Sequence, residues 1–348
     1  VTDAGPIRLT VPSEQDGRSV LAIAARALGD EALAREVLAR GGLWRNRARV
    51  TDASLVAHAG DTLFIHRPPG GAYAEVALGA EHVLHEDDDL LAVDKPAGVY
   101  VESTPWDAHG HLRGAVEHLL AARTATGSRE ENERAQLSSR DVPALPSQPA
   151  AASVAKVHLV HRLDRDTTGV LLLSKDPAVN PALQRAFEAG AVHKEYVCVC
   201  VGEPLEDTFV VETGHGRSRQ GLFRVYPLEE VGKELPNGSR VKSMVTRFEV
   251  ERRLDGATML RAFPITGRTH QIRLHLAHLG HPLLGDARYG GPAEWRGATV
   301  PHHLLHAARL ELPHPRTGEL LVIRAPLPAW WAVFREGDTL PDPPPTVS

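Results

Sequence analysis

Val160-His161-Arg162-Leu163-Asp164-Arg165-Asp166-Thr167-Thr168-Gly169 runs directly into Val170-Leu171-Leu172-Leu173. A dense polar stretch stops at a glycine and a wholly apolar strand follows. Asp164 is thereby presented from a loop at the edge of a rigid sheet, a common seat for catalytic groups. A surface turn laced with ion pairs has the same charge pattern.

A second stretch reads in the same way. In Ile265-Thr266-Gly267-Arg268-Thr269-His270-Gln271-Ile272-Arg273-Leu274-His275 a strand ends at a Thr-Gly turn and a helix begins. Arg268 lies in the turn, and Gln271 and Arg273 in the early helix. A helix N-terminus with several cations suits an anion, either a carboxylate of the protein or a phosphate of a substrate. An amphipathic helix with a solvated basic face is the plainer alternative.

Further strands are expected at Leu43-Trp44, Thr62–Ile65, His82–His85, Leu90–Val93, Glu195–Val201, Val245–Val250 and Thr258–Phe263, with one more at Leu310-Glu311-Leu312. Helices are expected over Ser19–Leu28, Ala32–Arg40, Pro181–Ala189 and from Gln271 to His278; Gly41, Gly190 and Gly280 suit their C-termini. Strands with a few interspersed helices predict an α+β fold with a mixed, largely antiparallel sheet. Pro68-Pro69-Gly70-Gly71 reads as a boundary, dividing a small unit at 1–70 from a larger one at 80–335. Residues 123–154, rich in Ser, Ala, Pro, Glu and Arg, read as a mobile insertion, and 336–348 as a disordered tail.

The chain has 348 residues, 42% hydrophobic and 24% charged, the balance of a soluble globular protein. Its net charge of -5 argues against a generally polybasic nucleic-acid binder, although a local basic face can act on an acidic protein. No apolar run is long enough to span a bilayer and no signal peptide is visible, so a cytoplasmic location is expected. Monomer is the default oligomeric state. Cys198 and Cys200 lie two apart on a strand and read as small packed hydrophobes, since two thiols cannot complete a structural metal site.

The two polar stretches resemble the RluA-type RNA pseudouridine synthases, with their His-Arg-Leu-Asp and Thr-Gly-Arg-x-His-Gln-Ile-Arg runs. Asp94-Lys95-Pro96-Ala97-Gly98, Lys194-Glu195-Tyr196, Gly285-Asp286-Ala287-Arg288-Tyr289-Gly290, Leu305-His306-Ala307 and Ala325-Pro326-Leu327-Pro328 match further elements in the family's order. Several independent runs in one order over residues 80 to 330 make chance an inadequate account. The resemblance implies the pseudouridine synthase fold, an RNA substrate and no cofactor, because isomerisation of uridine involves no redox change. Ribosomal RNA is the expected substrate, ahead of transfer RNA.

The resemblance also implies roles. Asp164 is the nucleophile, kept ionised by a guanidinium, Arg273 by preference and Arg268 otherwise. Tyr196 stacks on the uracil and its hydroxyl can assist a proton transfer. Arg162 contacts phosphate or fills the gap left by a flipped base. His161 holds the loop, and Leu305 supplies an apolar floor. Before residue 70, Leu38–Arg47 and Ala59–Leu63 resemble an alpha-L RNA-binding module, where Arg45 and Arg47 belong to a local basic cluster suited to phosphate. The sequence departs from that module in carrying Arg47 where a glycine is usual after Asn46.

Two rival readings remain. One is a catalytically silent RNA-binding protein on the same fold, against which an intact Asp164 and Arg273 both stand. The other is a metal-dependent hydrolase: His302 and His306 are one helical turn apart, but no Glu follows His302 as zinc peptidases require. No metal site is expected.

Overall fold

The structure is a computed structural model that describes residues 5–124, 156–218, 222–331 and 333–334. Residues 125–154 of the expected insertion and the expected tail lie outside the described residues; 123 and 124 belong to a helix, α3, described over 112–124. By backbone contacts the chain divides into two units.

The first unit holds a four-stranded sheet and two helices. Strands β1 (Ile7–Thr10), β2 (Leu43–Arg45), β3 (Ala48–Arg49) and β4 (Thr62–Ile65) lie in the order β1-β4-β2-β3. Ser19 caps α1 (Val20–Leu28) and Asp30 caps α2 (Glu31–Arg40), each accepting a backbone N–H three residues on. Gly29 and Gly41 close the two helices in the left-handed conformation. Val20, Ile23, Val37, Leu43, Leu63 and Ile65 form the core of this unit.

The unit also takes in residues 99–116, which fall inside the span 80–335 that the sequence assigns to the larger unit. Backbone capture explains the assignment. The Trp44 indole donates to the Pro105 carbonyl, Arg49 Nη2 donates to that of Thr104, and the Ala108 amide donates to that of Arg40.

The second unit is built on one eleven-stranded sheet. Its strands are β5 (Val83–Glu86), β6 (Leu90–Lys95), β7 (His158–Leu159), β8 (Thr168–Ser174), β9 (His193–Val201), β10 (Thr208–Arg217), β11 (Phe223–Tyr226), β12 (Lys242–Leu254) and β13 (Ala257–Pro264). After the two-stranded ribbon of β14 (Glu294–Trp295) and β15 (Ala298–Thr299) come β16 (Leu305–Pro313) and β17 (Leu320–Arg324). The order is β11-β10-β12-β13-β9-β16-β8-β6-β5, with β17 on β16 and β7 on β8. All these pairings are antiparallel except β8 with β16. The fold is thus α+β with a mixed, largely antiparallel sheet, as the sequence predicts.

Every residue of β8 is buried, which is why its sequence is apolar without alternation. The single parallel contact of β8 brings Thr168 opposite His306 and Gly169 opposite Ala307. Gly169 has φ 101°, and a Cβ there would lie 2.3 Å from the Ala307 carbonyl oxygen. Only glycine lets the backbones meet at the point where the polar loop joins the sheet. Cys198 and Cys200 are buried, unpaired thiols on β9, packed with Leu260, Ile272 and Leu276. No helix among the described residues is long and apolar enough to cross a membrane.

Candidate active site

The loop from 160 to 167 is held from several directions. Leu163 is buried between the exposed Arg162 and the half-buried Asp164, and its apolar side chain anchors the loop. The Thr167 amide donates to the Asp164 carbonyl at 3.2 Å and closes a tight turn. The fully buried Lys95, at the end of β6, donates from Nζ to the carbonyls of Pro96, Arg165 and Thr167 at 2.8, 2.7 and 3.0 Å. Three acceptors match the three N–H groups of an ammonium. Burial draws the pKa of Lys95 down to about 7, against the pull of Asp166 and Asp164. Thr167 Oγ1 bonds His303 Nε2 at 2.9 Å, and Thr168 Oγ1 bonds His306 Nδ1 at 2.8 Å. His161 Nε2 accepts the Leu172 amide, and its ring stacks on Phe187.

Two further helices are α4 (Asn180–Glu188) and α5 (Gln271–His278), and the guanidinium that meets Asp164 comes from α5. Arg273 Nη1 donates to Asp164 Oδ2 at 2.8 Å. Its other edge is gripped by Asp286, Nε to Oδ2 at 2.7 Å and Nη2 to Oδ1 at 2.9 Å. Burial works against the charge on Arg273, but the hydrogen-bonded Asp286 and the nearby Asp164 outweigh it and raise its pKa. The anion at this helix start is therefore a carboxylate of the protein itself.

Arg268, the alternative partner, lies elsewhere. Its Nε donates to the Ser243 carbonyl and its amide to Gln271 Oε1. Gln271 also bonds Thr266, the Val245 carbonyl and Thr246, so it fastens α5 to β12.

Tyr196 stands on β9 opposite Ala262 and Ala307, two small neighbours that leave its ring uncrowded. It packs against the cluster containing Ile272, Leu276 and Leu305, so Leu305 lies in the apolar wall beside it. Burial, reinforced by the Asp164 charge, raises the pKa of its phenol, which stays protonated at neutral pH. Among the described residues its hydroxyl has no hydrogen-bond partner.

In the first unit the basic cluster is less open than its sequence suggests. Arg45 donates to the Val56 carbonyl and sits 3.6 Å from Asp61, and Arg49 lies over the Trp44 ring. Arg35 pairs with Glu31 and Arg40 with Glu75. Arg47 faces solvent in the two-residue turn between β2 and β3, where it and Asn46 both take positive φ. Asn46 is fixed there by bonds to Asp61 and to the Thr62 amide.

His302 and His306 do not form a ligand pair on a helical turn, because the chain there is extended and enters β16. Both ring nitrogens of His306 are engaged, by Thr168 and the Ala325 carbonyl, and His302 Nδ1 faces the His303 carbonyl.

Sequence reasoning gave Lys95 and Asp286 no role, although both stand in the family-like runs. It overlooked His270, Tyr289 and His303 as neighbours of the loop. Burial draws the pKa of each of His161, His270, His275 and His306 down to about 4. An unfolded histidine takes its proton near pH 6.5. Stability contributed by keeping these rings neutral is complete above that pH and is lost as pH falls towards 4. Asp94, raised by burial to about 6, opposes the trend in part of the window, but it is one group against four. Urea unfolding is expected to show a midpoint that falls steeply between pH 6.5 and 4. An unchanged midpoint at pH 5 would show that the buried rings are not held neutral.

A family model described as RNA pseudouridylate synthase matches residues 89–278, and the chain belongs to that family. It is 37% identical over 287 residues to RNA pseudouridine synthase 1 of Arabidopsis thaliana, covering 73% of this chain and 77% of that one. It is 33% identical over 258 residues to ribosomal large subunit pseudouridine synthase C of Escherichia coli (strain K12), covering 73% and 68%. The solved structure of human RNA pseudouridylate synthase domain containing 4 shares the fold, with a TM-score of 0.51 and 22% identity over 75% of this chain and 95% of that one. The protein is an RNA pseudouridine synthase, an isomerase acting on RNA.

Proposed function

We propose that the enzyme converts uridine to pseudouridine in structured large-subunit ribosomal RNA, with Asp164 as its nucleophile. The observation that carries the assignment is the 2.8 Å contact from Arg273 Nη1 to Asp164 Oδ2. It holds the carboxylate by one oxygen and leaves Oδ1 for the substrate. Attack at ribose C1′ and removal of the C2′ proton both need one such free oxygen.

In either route the bond from C1′ to N1 breaks, the bond from C1′ to C5 forms, C5 gives up a proton and N1 takes one up. Tyr196, protonated and without a hydrogen-bond partner among the described residues, stacks on the base and has a proton to share. Arg162, exposed beside the nucleophile, contacts the RNA backbone. Arg268 steadies the turn before α5 and Leu305 backs the Tyr196 ring. Arg47 is the member of the first unit's basic cluster best placed to meet phosphate. Arg45 would first have to leave Asp61. A ribosomal substrate is supported by the bacterial relatives, whose names specify the large ribosomal subunit. The cytoplasm and a monomeric state fit that work.

The test is a map of pseudouridine by carbodiimide-induced reverse-transcription stops, on RNA from cells lacking the protein and from cells with it restored. Stops in large-subunit ribosomal RNA that appear only on restoration are expected. Stops confined to transfer RNA would overturn the substrate.

A further inference from the structure

His270 precedes α5 in the place of a helix N-cap, yet its side chain caps nothing. Its backbone is left-handed at φ 59°, a strained conformation for a residue with a side chain. The ring turns away from the free helix amides and towards the nucleophile. Nδ1 lies 2.6 Å from the Tyr289 hydroxyl, and Nε2 lies 3.7 Å from Asp164 Oδ1. Phe223 and Tyr289 each meet the imidazole edge to face. The Tyr289 ring also lies under the Arg273 guanidinium, 5.0 Å from its carbon. One tyrosine thus supports both groups that face the two oxygens of Asp164.

Arg273 alone does not fix the carboxylate. The terminal torsion of an aspartate is broad, so a carboxylate held by one oxygen can still swing the other. A second N–H on the free side narrows that swing. Resting on the reading of Asp164 as nucleophile, we propose that His270 is a positioning residue, whose Nε2–H, set by the Tyr289 hydroxyl on Nδ1, aims Asp164 Oδ1 at the ribose.

The tautomer follows from the neighbours. A bare Nε2 lone pair facing a carboxylate would be repelled, so Nε2 carries the hydrogen and Nδ1 accepts from Tyr289. Burial, together with Arg273 and Arg288, outweighs Asp164 and Asp286 and holds the imidazole pKa down to about 4. The phenol of Tyr289 is pushed upward by burial. Both groups therefore keep these protons across the neutral range. At 3.7 Å the contact is short of a hydrogen bond, which leaves Oδ1 accessible to substrate.

The test uses full-length enzyme and a large-subunit ribosomal RNA transcript carrying 5-tritiated uridine, with tritium release as the readout. Asp164→Asn is the control: if it releases tritium at more than about a hundredth of the wild-type rate, the nucleophile reading itself fails. His270→Gly removes the ring and relieves the left-handed backbone. Its kcat is expected to fall roughly tenfold to a hundredfold with KM within about twofold, and free imidazole is expected to restore part of the loss. His270→Asn keeps an N–H donor and tolerates left-handed backbone, and is expected to fall between the two. Tyr289→Phe keeps the ring over Arg273 but removes the tautomer-setting hydroxyl; it should lower kcat severalfold at unchanged KM. A wild-type kcat in His270→Gly, or a loss that neither imidazole nor His270→Asn relieves, overturns the proposal while leaving Asp164 in place. Should His270→Gly fail to fold, a wild-type kcat in Tyr289→Phe overturns it.

Discussion

An Asp164→Asn enzyme is expected to make pseudouridine more slowly than wild type by roughly four orders of magnitude or more, while still folding and still binding RNA. The substitution keeps the shape of the side chain and removes its nucleophilic charge. The loop should not collapse, because Lys95, His303 and His306 hold it through Arg165, Thr167 and Thr168 and none of these bonds involves the Asp164 carboxylate. Arg273 keeps its two bonds to Asp286, so no buried charge is stranded. Stability should change by about 1 kcal/mol or less. Single-turnover tritium release measures the rate and filter binding measures the RNA complex. More than a hundredth of the wild-type rate would remove Asp164 from its assigned role.

The largest expected loss of stability comes from Asp286→Ala. Asp286 and Arg273 are 2% and 6% exposed, and their two-bond pair lies where water cannot replace either partner. Removing Asp286 strips the acceptors from Arg273 Nε and Nη2 in the interior, with Asp164 left on Nη1 alone, and costs about 3 to 5 kcal/mol. The turn itself should persist, since the Tyr289 and Gly291 amides donate to the Asp286 backbone carbonyl, which the substitution keeps. Urea unfolding followed by tryptophan fluorescence reads the change. A second variant separates charge from packing: in Asp286→Ala with Arg273→Met no buried guanidinium is left, the half-buried Asp164 that loses its partner is reached by solvent, and part of the lost stability should return without activity. A single-variant loss below about 1 kcal/mol would show that Arg273 finds water or another carboxylate.

Much of this protein is decided locally. The run from Thr168 to Ser174 is buried on both faces because its middle, Val170 to Leu173, is wholly apolar. Ser19 and Asp30 start α1 and α2, and Gly29 and Gly41 stop them, because each cap is a bond between residues a few positions apart. The strands β10 and β11 escaped the sequence reading. In β10, Gly214 and Gly216 interrupt the strand pattern, and a Cβ at either would press on Val241 or Leu235 as well as on Tyr226. Their smallness answers packing from residues distant in the chain, which local alternation does not record.

The site divides in the same way. Asp164 and Arg273 stand out from the sequence as members of polar runs, and the resemblance paired them. The sequence alone determined the α+β class, the strand that carries the loop and the residue types at the site. Tertiary structure decided which guanidinium meets Asp164, since Arg268 and Arg273 are five positions apart and only the helix start separates their directions. It also gave Lys95 to the loop, Asp286 to Arg273, and His270 to the free oxygen of Asp164. Arg273 and Asp164 are 109 residues apart. A charge carries no local mark of its partner, and its energy depends on burial and direction, which exist only once the sheet has brought β8, β9 and β16 together.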